Sequence, residues 1–152
     1  MKAPTATIAA ALALLAATAS SARAQPHERA FGIYVVRASV VPSTAIAARQ
    51  ARQRGIRVAP NVGVLNVVVL RRSGKPRTTE RAAVTASVRT LYGTEAPIPM
   101  RAAAENDRVS YLGTFRIPGR GADLEFRIAV RPEKARTTRE IRFKDHLGLG
   151  RR

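Results

Sequence analysis

The chain has 152 residues, with 27 Lys and Arg against 10 Asp and Glu, a formal charge of +17 and no Cys. The lack of Cys excludes structural disulfides, thiol catalysis and Cys-ligated metal sites. The charge points to anionic partners, because a field of one sign attracts its opposite without specifying a fold.

The first predicted element is a leader. Lys2 supplies a positive start, Ile8 to Ala19 form an uncharged run, and Ala22-Arg23-Ala24 has the small-x-small form that signal peptidase reads. A membrane span needs roughly 20 apolar residues, and this run is shorter. Nothing of that length follows, so the mature chain is expected to hold no transmembrane segment. Residues 1–24 are therefore read as a cleavable signal peptide, and the protein as exported. No Cys stands near the cleavage point to carry a lipid. Loss of Lys2 and Arg23 leaves 25 basic and 10 acidic residues, a charge of +15. The remainder suits one domain over 25–146 with a flexible tail over 147–152.

Phe31 to Val41 follows a polar lead-in and alternates, with Tyr34, Val36, Ala38 and Val40 on one face. It predicts a half-buried strand. Ser43 or Thr44 is placed to cap a short helix over Ala45 to Arg54, which Gly55 ends. Val62 to Leu70 is apolar on both faces and predicts a strand covered on both sides, with Asn66 as its polar exception. Arg71 to Pro76 is a charged turn. Val84 to Tyr92 alternates again. Glu95 to Ala103 holds two prolines and suits an edge strand. Asn106-Asp107 is a turn. Three further strands run near Val109 to Ile117, Leu124 to Val130, and Glu140 to Lys144. About seven strands at spacings of roughly 8 to 14 residues predict an all-β fold, an antiparallel immunoglobulin-like β-sandwich with one short helix after the first strand. A closed barrel is the second choice.

Phe31-Gly32-Ile33-Tyr34, Ser43-Thr44, Gly55-Ile56, Asn61, Leu65-Asn66 and Leu70 stand at a fixed, ungapped spacing. Through them the chain resembles a family of uncharacterised periplasmic proteins of gram-negative bacteria, classed as a domain of unknown function. Tyr92-Gly93 and Tyr111-Leu112 extend the likeness more loosely, and the match covers roughly residues 31 to 146. The chain departs from the family pattern at Ala47-Ala48-Arg49, where Ser-Pro-Glu is common, and at Ile33, where an acidic residue is frequent. The resemblance implies a periplasmic, all-β domain. It implies no activity and transfers no site residue.

Chemistry-bearing groups are sparse. His27 falls in the polar lead-in and His146 near the end of the last strand, which suits two solvated histidines better than a ligand set. No Ser stands in a Gly-x-Ser-x-Gly turn. Glu105 with Asp107, and Asp123 with Glu125, are close carboxylate pairs, but both sit at turns beside Arg. No catalytic residue, metal site or cofactor is expected. The basic surface carries what functional content there is. Arg71, Arg72 and Lys75 cluster at one turn, and Arg127 and Arg142 share an outward face if the last two strands pair. These five are the candidate anion-binding residues. Export, and the shortage of exposed aromatics for base stacking, argue against nucleic acid. Envelope proteins, anionic lipid headgroups or lipopolysaccharide phosphates suit the compartment better. The first functional reading is a non-catalytic binding or adaptor module. Electrostatic association with envelope anions and an unrecognised hydrolase are the alternatives. Convergence of Tyr34 and Asn66 in one pocket would mark a ligand site.

Overall fold

A computed structural model describes residues 26–72 and 78–148. The predicted leader and Lys75 lie outside the described residues. In chain order the elements are β1 (His27–Phe31), β2 (Tyr34–Pro42), a 3-10 turn (Ser43–Ala45), α1 (Ala48–Gln53), β3 (Val62–Arg71), β4 (Thr78–Thr79), β5 (Ala82–Thr90), β6 (Ala96–Ile98), β7 (Met100–Glu105), β8 (Arg108–Arg116), β9 (Gly121–Pro132) and β10 (Arg139–Gly148).

Every ladder is antiparallel. One sheet has the order β1-β2-β3-β8-β7, with β4 also paired to β3; the other has the order β10-β9-β5-β6. The two sheets share one core. From the larger sheet come Val36, Ala38, Val40, Leu65, Val67, Val69, Tyr111 and Phe115. From the smaller come Val88, Leu124, Phe126, Ile128, Val130 and Ile141. The period-2 spacing of these residues places them all on inner faces. Phe115 and Phe126 meet edge to face across the interface, with ring centroids 5.1 Å apart. The predicted all-β sandwich is therefore the observed architecture.

The described residues hold ten strands rather than about seven. The polar lead-in is itself a strand, β1, and a two-residue turn at Gly32-Ile33 separates it from β2. Gly32 has φ +57°, a left-handed conformation that glycine adopts freely. The proline-containing edge splits in two at Pro99. β6 pairs with β5 in the smaller sheet, and β7 pairs with β8 in the larger. The last strand also runs further than the alternation suggested. Leu147 is buried opposite Ala122, so 147–148 belong to the sheet and not to a tail. Asn106 and Asp107, both at positive φ, form the tight two-residue turn between β7 and β8.

The helix is shorter than predicted, and its expected cap does a different job. The residue before α1 is Ala47, with no side-chain cap bond. Ser43 is fully buried instead. Its hydroxyl donates to the Ala59 carbonyl (2.9 Å) and accepts from the Ala59 N–H (3.0 Å), closing the 43–59 connection. Gly55 does end the helix as expected, at φ +62°. The Gly55 N–H reaches the Arg52 carbonyl and the Ile56 N–H reaches the Ala51 carbonyl, the double bond of a Schellman motif. Ile56 and Ala51 then pack on Val64 and Leu112, so the helix covers part of the outer face of the larger sheet.

Removing Phe126 opens a cavity at the centre of the core, and Phe126→Ala should destabilise by about 3–5 kcal/mol in urea unfolding. Ser43→Ala leaves the part-buried Ala59 N–H without its partner, while the Ala59 carbonyl keeps the Val62 N–H, and should cost about 1–2 kcal/mol. Tyr92 is fully exposed, and Tyr92→Ala should change stability by less than about 0.5 kcal/mol.

Candidate functional site

The basic residues fall into two environments. Arg127 and Arg142 stand side by side on the outer face of the smaller sheet, as the alternation predicted. Both are engaged there by carboxylates. Arg127 lies 3.5 Å from Glu95 and 3.7 Å from Glu140, and Arg142 bonds Glu140. Beside them Arg89 pairs with Glu125 at 2.9 Å. The hydrogen bond from Arg89 holds the Glu125 carboxyl below its ordinary range, helped by the charges of Lys144 and Arg142 and opposed by desolvation. The bond to Glu140 raises Arg142 above its already high value. This face is a mixed-charge lattice in which the arginines are already neutralised.

Arg71 and Arg72 lie elsewhere, at the end of the sandwich where β3 leaves the larger sheet. Arg71 stands across the ladder from Tyr34, and the Arg72 N–H donates to the Ile33 carbonyl (2.7 Å). The β9–β10 loop comes to the same end, and the Glu133 N–H bonds the Arg81 carbonyl at the start of β5. Arg71, Arg72, Arg81, Arg131, Lys134, Arg136 and Arg139 thus lie toward this end, with Glu80, Glu133 and, beside Thr79, Asp107 as local carboxylates. None of the seven makes an ion pair among the described residues. The Nε of Arg71 is buried without a hydrogen-bond partner.

Between these loops an apolar cleft of about 290 Å³ opens. Phe31, Gly32, Ile33, Tyr34 and Val36 line it from the β1–β2 hairpin, and Val130, Pro132, Ala135, Thr137 and Arg139 from β9, its following loop and β10. The Arg139 guanidinium lies 6.0 Å above the Phe31 ring, within the range of a cation–π contact. The sequence reading missed Arg139. Its signal was there to find. Arg139 shares the inward register with Ile141 and Phe143, where a charge is out of pattern.

Tyr34 and Asn66 do not converge. Tyr34 is on the inner side and lines the cleft, whereas Asn66 pairs with Ser39 and Leu112 in the register of the opposite face. The Asn66 Oδ1 is buried and unpartnered there. Each histidine stands beside a carboxylate. His27 is held in β1, stacked on Phe143 at 4.0 Å and 3.6 Å from Asp145. His146 lies 2.6 Å from Asp123. Among the described residues no group of three or more His, Cys, Asp or Glu could hold a metal ion, and no helix is long and apolar enough to cross a membrane.

The chain matches a family described as a domain of unknown function, DUF4426, over residues 28–147. It belongs to that family. The crystal structure of a DUF4426 protein from Pseudomonas aeruginosa PAO1 superposes with a TM-score of 0.70 at 24% identity. The superposition covers 83% of this chain and 97% of that one, and it shows a shared fold. No curated protein matches the chain. The matched DUF4426 span contains both walls of the cleft, from Phe31 to Arg139.

Because the Glu125 carboxyl is held low in the folded state, the Arg89–Glu125 bond contributes at neutral pH and is lost as pH falls through the lowered pKa. Arg89→Gln should move the Glu125 midpoint upward in an NMR titration. An unmoved midpoint would mean that Lys144 and Arg142 alone hold it down.

Proposed function

We propose that this DUF4426 chain is an exported, non-catalytic binding module of the bacterial envelope, with its ligand site at the cleft-bearing end. The observation that carries the reading is the coincidence of two features. An apolar cleft opens at an end where seven cations make no ion pair among the described residues. A small-molecule site is typically concave and mostly apolar, with a few polar groups that fix orientation. The leader-like residues 1–24 support export, and the family resemblance supports the periplasm.

A second reading has its own support. Seven cations that make no ion pair among the described residues, against three carboxylates, give that end a field able to hold anionic lipid or lipopolysaccharide without any cleft. The two readings differ in their response to salt. Binding by the rim alone is screened as the Debye length shrinks from about 30 Å at 0.01 M to about 8 Å at 0.15 M.

Expressed in a gram-negative host, the full chain should be recovered from the periplasm with its N-terminus near Gln25. Retention in the cytoplasm at full length would remove the export half of the proposal. Native mass spectrometry of the recovered protein should show a bound small molecule that survives 0.15 M salt. Ala135→Phe, which fills the cleft, should remove it. Binding to anionic vesicles that falls steeply with salt and ignores Ala135→Phe would favour the second reading.

A further inference from the structure

Resting on the cleft as the binding site, we infer that its ligand is a small amphipathic carboxylate: a medium-length acyl chain in the cleft with its carboxylate on Arg139.

The size of the cleft argues for a small occupant. About 290 Å³ is at the lower edge of the roughly 300–1,000 Å³ usual for small-molecule sites. That space admits one short chain and not the several chains of a membrane lipid. The walls argue for a hydrocarbon. Phe31, Ile33, Tyr34, Val36, Val130 and Pro132 offer carbon surface, and Val36 and Val130 at the floor are almost completely buried. A protein partner fits poorly. A standard interface covers about 800 Å² on each side. Ile33 is the only large, well-exposed apolar residue lining the cleft; the others among the described residues are Val58, Leu91 and Tyr92.

The head group follows from Arg139. Its guanidinium borders apolar surface and has no carboxylate partner among the described residues. Arg139 is exposed at the lip of the cleft, where its guanidinium can meet an anion whose apolar part lies on the walls. The Phe31 ring lies 6.0 Å from the guanidinium carbon, and the fork's N–H donors make no carboxylate pair among the described residues. Two parallel N–H donors match the two oxygens of a carboxylate. Thr137 also lines the cleft and carries a hydroxyl donor. The surrounding cations Arg71 and Arg136 add attraction of the same sign. The contrast with Arg127 and Arg142 is decisive. Those arginines carry their own glutamates, whereas Arg139 does not.

The test uses three probes, decanoate, decanol and acetate, titrated into the purified protein and followed by backbone amide NMR. Decanoate should shift the amides of 31–36 and 130–139 and bind about tenfold more tightly than decanol, as expected for a charge-assisted hydrogen bond. Acetate should cause no saturable shift. Arg139→Gln should abolish the preference for decanoate over decanol, while Arg116→Gln, on the far end of β8, should leave it unchanged. Decanol binding as well as decanoate would overturn the carboxylate assignment and leave the cleft standing as a site. Acetate binding as well as decanoate would overturn the acyl chain. If neither long-chain probe shifts the cleft amides, this inference fails. The broader binding reading fails with it only if native mass spectrometry also finds no Ala135-dependent ligand.

Discussion

The structure depends on the contact between the two sheets through β9. Leu124, Phe126, Ile128 and Val130 form one inward row and are almost completely buried. With no Cys in the chain, no disulfide ties one sheet to the other, and burial of this row against β2, β3 and β8 is what packs them together. Phe126 is the pivot. It meets Phe115 edge to face from one side and stacks on Phe143, with centroids 5.2 Å apart, from the other. His27 extends the stack past Phe143 and ties the first strand to the last.

The cleft is a consequence of how that layer ends. Moving along β2 and β9 toward the β1–β2 turn, the inward row continues through Val36 and Val130 to Tyr34 and Pro132, which line the cleft. Arg139 and Arg71 occupy the next inward positions. Neither can be buried in full without a partner, because isolated charge in an apolar medium is costly. At this end apolar walls line the cleft, with Arg139 at its lip and Arg71 across the ladder from Tyr34. At the opposite edge the sheets are bridged covalently by the chain itself, through Pro99 between β6 and β7. The Ala82 N–H bonded to the Tyr111 hydroxyl (2.7 Å) provides a further polar link between them.

The distribution of charge divides the surface in a way that net charge could not show. On the smaller sheet, cross-strand geometry sets Arg and Glu within reach of one another, so an excess of cations is locally cancelled. At the cleft end the cations come from three stretches of chain, 71–72, 81 and 131–139, and outnumber the acids among them. A formal charge of +17 is thus partly a solvated lattice and partly a concentrated, unpaired field.

Much of the fold was legible in the sequence because alternation reports directly on which side of a strand is buried. That signal placed β2, β3, β5, β8, β9 and the middle of β10, and Gly55 marked the helix end by its need for positive φ. It failed at β1, where His27 to Phe31 looks polar because an edge strand buries little. It failed at Ser43, whose hydroxyl bonds Ala59 across sixteen residues rather than the nearby helix. The sequence by itself determined the all-β class, the absence of disulfides, the basic excess and the leader-like start. These depend on composition or on local period. The tertiary structure alone decided that Arg127 and Arg142 face glutamates while Arg71 and Arg139 do not. It also decided that Tyr34 lines a cleft while Asn66 lies on the opposite face. Pairing and cleft formation depend on strand order and sheet separation, which bring together residues far apart in the chain. No local pattern encodes those distances.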